Sequence, residues 1–370
     1  MIENMNKNDH FKEKQTKYTF LGSLFLAYLC LFALFAIVLP DKDISERERR
    51  HLQTLPNLSV ENILSGNYFS KLDSYLLDHF PMRDTYRTSK NLFDLAILQK
   101  SDADGFFQVD DSLYELPETI HTENLSKTLS DFQSIMNKYF ISSQGYYCVI
   151  PDKTYYLSEN SNYPRAKYDN FMNFTDKILG SSLTKIDISD SLSLEHYYHT
   201  DMHLRQEMLA DSFIDESYNQ ILMSDTFYGG ISSASGIYPS PDQLIGITTP
   251  AICDAIVYDY ETKSEISVYA TDKISGLDPY DVYLSGPKAL LKLYVPNSAS
   301  GKELVLFRDS FGSSIAPLLL DYYDTIYLVD LRYTTVDTAM ALITPNKDCD
   351  VLFLYSMNVL NSGSLRTKVI

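Results

Sequence analysis

Leu304-Val305-Leu306-Phe307-Arg308-Asp309-Ser310-Phe311-Gly312 is the stretch that decides the fold. Four consecutive apolar residues without polar alternation read as a strand buried on both faces, the pattern of a parallel sheet covered by helices. A charged pair, a serine and a glycine follow, so the strand ends in a tight turn that presents the Ser310 hydroxyl. Open α/β sheets place their chemistry at the carboxyl ends of their strands. The rhythm continues downstream with a helical segment to about 323, strand 325–331, helix 335–343 and strand 350–356. Upstream it reads helix 124–140, strand 146–150, a helix carrying Tyr168 and Phe171 and closed at Gly180, strand 184–188 and helix 204–222. Alternating strands and helices predict the α/β class, with a parallel sheet covered by helices. A hairpin is predicted where Phe106–Val109 and Leu113–Leu116 flank Asp110-Asp111. Residues about 224–300 differ in texture. They hold Gly229-Gly230, Pro239, Pro241 and alternating runs such as Ile266-Ser267-Val268-Tyr269, and predict a mostly β insertion with loops.

A serine hydroxyl becomes a nucleophile only beside a base. The chain offers one in Tyr198-His199-Thr200-Asp201-Met202-His203. An i, i+2 spacing puts Asp201 and His203 on one face of extended chain, whereas in a helix they would diverge by about 200°. The pair is therefore expected in a strand end or turn. There Asp201 would hold one imidazole nitrogen of His203 and leave the other free to take a proton. A capping aspartate with a surface histidine is the plainer alternative, and His199 is a second candidate base. Ser310 itself is alternatively an N-cap. Pro317 does not fit inside a regular helix begun at Ser310. Either the helix kinks there, or residues 311–316 make a turn and the regular helix starts at Pro317.

Other candidates stand at neighbouring strand ends. Arg308 would hold an anionic group of a substrate, or pair with Asp309 or Asp330. Asn358 would donate into the site, or form a turn. Tyr333 stands with them as a substrate-binding candidate. The sequence has no zinc signature, phosphate loop or dinucleotide glycine pattern, so neither a metal nor a cofactor is expected.

The ends and the charge bound the rest. Phe20–Leu39 is uncharged; twenty helical residues span about 30 Å, the thickness of a bilayer core. A cleavable signal peptide is the nearest rival. The run is long for one, however, and ends in Val38-Leu39-Pro40-Asp41 without a small-x-small site. Lys12, Lys14 and Lys17 precede it, which predicts a cytoplasmic N-terminus and an extracytoplasmic remainder. The expected organisation is a tail (1–17), an anchor (18–40), a stalk with juxtamembrane helices (41–100) and the α/β domain (101–370). The stalk opens with the charged run Glu46-Arg47-Glu48-Arg49-Arg50, and its helices carry a stripe of Ile63, Phe69, Leu72, Tyr75, Leu76 and Phe80. The net charge of −18 argues against nucleic acid as a partner, and 29 Tyr with no Trp suit contact with carbohydrate. Cys148, Cys253 and Cys349 lie outside the anchor, with Cys148 and Cys349 expected as buried free thiols.

Six pieces in order resemble the DHHW family, relatives of SGNH-hydrolase-like alginate O-acetylation proteins. They are Leu55-Pro56 behind its Glu-Arg-rich start, Asp78-His79-Phe80-Pro81-Met82-Arg83-Asp84, Ile150-Pro151-Asp152-Lys153, Thr200-Asp201-Met202-His203, Phe307–Gly312 and Val329-Asp330-Leu331-Arg332-Tyr333. The resemblance implies an SGNH-hydrolase-like fold and a triad of Ser310, His203 and Asp201. The family usually has His at the position of Met202, Trp at Leu204 and Gly at Met208, and this chain departs at all three. The resulting expectation is a membrane-anchored serine esterase or O-acetyltransferase acting on cell-surface polysaccharide, alone or with export or acetylation machinery. The alternative is an inactive glycan-binding or assembly protein of such a machine.

Overall fold

The computed structural model describes residues 2–45, 50–214, 217–296, 298 and 300–368, and no side chains for residues 2–15, 37 and 50. Glu46–Arg49 of the charged stalk, and the side chains of Lys12 and Lys14, lie outside the described residues. The chain divides into two compact units, Met1–Lys90 and Asn91–Ile370.

In the first unit, Ile2–Val38 is one helix. Within it Thr16–Ala36 is, among the described residues, the one segment long and apolar enough to cross a membrane, and none of it is buried. An apolar helix with no protein covering it fits a membrane anchor. The helical stripe expected behind it divides into Val60–Leu64 and Asn67–Asp78, separated by Gly66 at φ +77°. No residue of Asn67–Asp78 is buried. The Asp78-His79 motif has a local partner. Asp78 Oδ2 accepts the Gln53 amide at 2.8 Å, and His79 Nε2 donates to the Gln53 carbonyl at 3.1 Å.

The second unit is built on one eight-stranded sheet. Its strands are β1 (Gly145–Ile150), β2 (Thr184–Lys185), β3 (Ile256–Asp259), β4 (Ser264–Ile266), β5 (Leu290–Tyr294), β6 (Glu303–Arg308), β7 (Thr325–Val329) and β8 (Asp350–Ser356). The spatial order is β4-β3-β5-β7-β6-β8-β1-β2. Strands β7, β6, β8, β1 and β2 are mutually parallel. Strands β5, β3 and β4 continue the same sheet in antiparallel order.

Side chains alternate along a strand, and here both sets are buried. Val305, Phe307, Val329, Val351, Phe353 and Val149 face helices Thr122–Tyr139 and Tyr168–Leu179. Leu304, Leu306, Leu328, Leu352, Leu354 and Ile150 face the opposite layer, with Leu209, Ile315 and Leu318. That double burial is why the β6 sequence shows no polar alternation. The fold is α/β with helices on both faces, as its sequence pattern predicts.

The insertion is β-rich but serves two places. One part supplies β3, β4 and β5 at the sheet edge. The other is a separate hairpin, Asn219–Phe227 with Asp242–Thr248. The expected helix 204–222 is corrected accordingly. The helix is Gln206–Phe213, and Asn219–Leu222 pairs as strand with Ile245–Thr248. Ile221-Leu222-Met223 prolongs a helical-looking apolar run, and tertiary strand pairing decides its conformation.

Pro317 is accommodated by a change of helix type. Phe311–Ile315 is α-helical, and the 3₁₀ segment Ala316–Asp321 begins around the proline. All four cysteines are free, with Cys148 and Cys349 buried. Burial pushes the Cys148 thiol up to about 12.

Candidate active site

The chain runs outward from β1 to β2 and resumes on the other side of β1. The carboxyl ends of β1, β8 and β6 therefore meet where the sheet's strand order reverses, the place where such folds form a crevice. Ser310 follows β6 directly with φ −62° and ψ −26°, an ordinary helical conformation, and its side chain caps nothing. Gly312 is required by close approach: a Cβ there would lie 2.6 Å from Arg308 Cβ. The turn is tied down by Asp309, which is fully buried. Its Oδ1 accepts the Phe311 amide at 3.0 Å, and its Oδ2 accepts the Ser356 amide at 2.8 Å and the Ser356 hydroxyl at 2.7 Å. The end of β6 is thus fastened to the end of β8.

Asp201 and His203 arrive on the loop between β2 and β3. The segment closes on itself where Tyr197 bridges Leu204, and the Tyr198 amide donates to the His203 carbonyl at 3.2 Å. His203 Nδ1 lies 2.6 Å from Asp201 Oδ1, and the same oxygen accepts the His203 amide at 2.9 Å. His203 Nε2 lies 2.8 Å from Ser310 Oγ. The structure therefore brings Ser310, His203 and Asp201 into one hydrogen-bonded chain, 107 positions apart in sequence. The imidazole that meets this hydroxyl is that of His203, and the His199 amide donates to Asp242 Oδ1.

The remaining candidates do other things. Arg308 is 1% exposed and pairs with the fully buried Asp330 at 3.4 Å. It also donates to the Asp309 carbonyl and the Ser313 hydroxyl. The expectation that Arg308 binds a substrate anion gives way to the ion pair, because a side chain enclosed this way does not reach solvent. Asn358 donates to Asp152 Oδ2 at 2.8 Å, which joins the ends of β8 and β1. Tyr333 is 49% exposed and lies under Arg332, whose guanidinium is 5.4 Å from its ring centre. Among the described contacts, neither Asn358 nor Tyr333 bonds to the three central residues.

Further residues complete the site. Gly229-Gly230 reads as an insertion loop, yet the Gly230 amide donates to Asp201 Oδ2. Tyr280 lies flat on the His203 imidazole, with centroids 3.9 Å apart and planes at 12°, and Phe311 tilts against the ring at 4.8 Å. The Tyr280 hydroxyl donates to Ser314 Oγ at 2.9 Å, and burial raises this phenol well above its ordinary range. Aromatic packing of the imidazole thus comes from a residue 77 positions downstream of it, while Leu204 lies in the core. Lys153 and Asp242 hold the loop from two sides. Gly229-Gly230 and the Asp152-Lys153 motif are visible in the sequence, but their meeting with the Asp201 loop is not; Tyr280 and Asp242 carry no local signal.

Asp201 Oδ1 accepts from the imidazole, so the His203 nitrogen beside it, Nδ1, is the one that carries the proton. Nε2 is then the acceptor facing the serine. The arrangement can draw a proton from Ser310 as the oxygen attacks. The fold and these three residues define an α/β protein with a Ser-His-Asp constellation at its crevice.

No family model matches the chain, and no curated protein matches it. Solved structures do. A DHHW family protein from Eubacterium siraeum aligns with a TM-score of 0.55 at 18% identity, over 70% of this chain and 93% of that one. PatB1 from Bacillus cereus aligns at 0.56 and 15% identity, over 71% and 99%. The same protein with a sulfonyl adduct gives 0.55 and 16%, over 71% and 98%. The fold is that of these proteins, as the sequence resemblance implied.

Proposed function

We propose that the chain is a membrane-anchored serine acyl esterase or O-acetyltransferase acting outside the cytoplasm on cell-surface polysaccharide. The observation that carries the reading is the chain Ser310 Oγ–His203 Nε2–Asp201, at 2.8 and 2.6 Å. Ser310 Oγ attacks an acyl carbonyl while its proton passes to Nε2. The carbon–oxygen bond to the leaving alcohol then breaks, and Nε2 returns the proton to that oxygen. The acyl group is left as an ester on Ser310. A water or a sugar hydroxyl, deprotonated by the same nitrogen, attacks the ester and frees the serine. Water makes the chain an esterase, and a sugar hydroxyl makes it a transferase. Asp201 steadies the imidazolium that forms in each half.

The Ser310 amide, next to the nucleophile, serves as the oxyanion donor in this reading. The Phe311 amide does not, because Asp309 holds it. The sulfonyl adduct of the Bacillus cereus neighbour is the kind of product that an activated hydroxyl gives. Lys12, Lys14 and Lys17, just ahead of the apolar run, support a cytoplasmic N-terminus.

The test is covalent labelling of the full chain in detergent micelles with an alkyl fluorophosphonate. One equivalent bound, and none to the Ser310→Ala variant, is the expected result. No labelling, or equal labelling of the variant, rejects the reading. With an activated acetyl ester as donor, acetyl transfer to added oligosaccharide then separates transferase from esterase.

A further inference from the structure

Two buried charges grip the loop that carries Asp201 and His203, and neither hydrogen-bonds to Ser310 or to the imidazole. Lys153 lies just after β1 and is 4% exposed. Its ammonium has three protons and three carbonyl acceptors: Leu113 at 2.9 Å, Tyr198 at 2.7 Å and His199 at 3.0 Å. Its charge also faces the Tyr114 ring, 4.7 Å from the centre. Asp242 opens the hairpin strand Asp242–Thr248 and is 7% exposed. Its Oδ1 accepts the His199 amide at 2.8 Å. Its Oδ2 accepts the Thr200 amide at 2.8 Å and the Thr200 hydroxyl at 2.6 Å. Thr200 Oγ1 accepts in turn from the Gly229 amide at 3.0 Å, which leads to the glycine pair that cradles Asp201.

Successive peptide planes are therefore fixed on both sides, carbonyls by a cation and amides by an anion, immediately before Asp201. A water-exposed loop would satisfy the same backbone groups without cost. Removing an ammonium and a carboxylate from water is unfavourable for each ion before the pairing offsets it. A device with that cost fixes a geometry rather than adding net stability.

We infer that Lys153 and Asp242 are positioning residues for the Ser310 site, holding the 198–200 backbone so that Asp201 and His203 meet the hydroxyl. This rests on the acyl-transfer reading for its purpose, though not for its geometry.

The test compares wild type with Lys153→Met, Lys153→Arg and Asp242→Asn, all full chains in micelles, by two readouts. One is the far-downfield proton NMR signal of the imidazole Nδ1–H bonded to a carboxylate. The other is the rate of fluorophosphonate labelling. The expected result is a signal in wild type that is lost in folded Lys153→Met, with labelling about 100-fold slower, the cost of a misplacement near 1 Å. Lys153→Arg should restore part of both. Where Lys153→Met fails to fold, Asp242→Asn decides by the same readouts. In wild type itself, the His199 and Thr200 amides should exchange with deuterium only on global unfolding. Folded variants that keep the signal and label within twofold of wild type overturn the inference, as does rapid exchange of those amides. A wild type that never labels, with a downfield signal that Lys153→Met abolishes, would reject acyl transfer and leave the clamp standing.

Discussion

Gly229 lies against the carboxylate of Asp201: a Cβ built on Gly229 would come within 2.2 Å of Asp201 Oδ2 and of Asp201 Cβ. The next residue, Gly230, donates its amide to the same oxygen. A backbone this close both orients the acid and excludes any side chain from the position.

Gly229→Ala should therefore act through Asp201. The methyl must displace the carboxylate or the loop, and overpacking of this kind costs about 1–3 kcal/mol. We expect a lower unfolding temperature and at least a tenfold slower reaction of Ser310 with fluorophosphonate. Labelling equal to wild type would show that the carboxylate moves without consequence.

How far the sequence reveals this site follows from what joins its parts. The strand before Ser310 is legible because both faces of β6 are buried, so every residue from Leu304 to Phe307 is apolar. Asp201 and His203 are legible as a pair because both belong to one short turn. Their meeting with Ser310 depends on the fold alone, and the resemblance of ordered motifs carried it. Arg308 shows the limit of reading by position. It stands at the right strand end for a substrate contact, but Asp330, just past the end of β7, pairs with it in the interior. The end of the expected helix 204–222 fails for a related reason, since strand Asn219–Phe227 is specified by its hairpin partner Asp242–Thr248 rather than by its own periodicity. Tyr280 has no local signal, because a tyrosine in the short 3₁₀ helix Pro279–Val282 gains meaning only from the ring it covers.

Asp309→Asn tests whether the nucleophile turn is held by charge. The carboxylate accepts three hydrogen bonds with no exposure to water. An amide keeps the shape but turns one acceptor into a donor facing either an N–H or a hydroxyl. The loss should be about 1.5–3 kcal/mol, the scale of a hydrogen bond to a charged group. Urea unfolding measures it, and a midpoint unchanged from wild type would contradict the account of this turn.

Tyr280 separates two contributions. Tyr280→Phe keeps the ring on the imidazole and loses only the bond to Ser314, so it should cost about 1 kcal/mol with near-normal labelling. Tyr280→Ala opens a void beside His203 and should cost about 3–5 kcal/mol. It should also slow labelling in the protein that remains folded. Equal labelling rates for the two variants would remove any role for the stack in holding the imidazole.

The pH dependence of stability has contributions of opposite sign. Burial pushes Lys153 down to about 8, against the pull of Asp242, Asp201 and Asp152. Between that value and the ordinary lysine value near 10.4 the unfolded lysine binds more protons, so its contribution rises with pH. Tyr197, Tyr198, Tyr280, Tyr283 and Tyr355 are raised well above 10 by burial. For them the unfolded chain loses its proton first. Their contribution is complete below about pH 10 and declines as pH climbs past it. Buried Cys148, raised to about 12, adds a loss that starts near the ordinary thiol value of about 8.5 and offsets the lysine. Urea unfolding followed by circular dichroism from pH 7.5 to 11 should therefore show a nearly flat stretch and then a steep fall. Lys153→Met should turn the flat stretch into a decline and keep the fall, with phenol absorbance appearing together with unfolding. A flat stretch that survives in Lys153→Met, or phenols that ionise while the chain stays folded, would contradict the burial assigned to these groups.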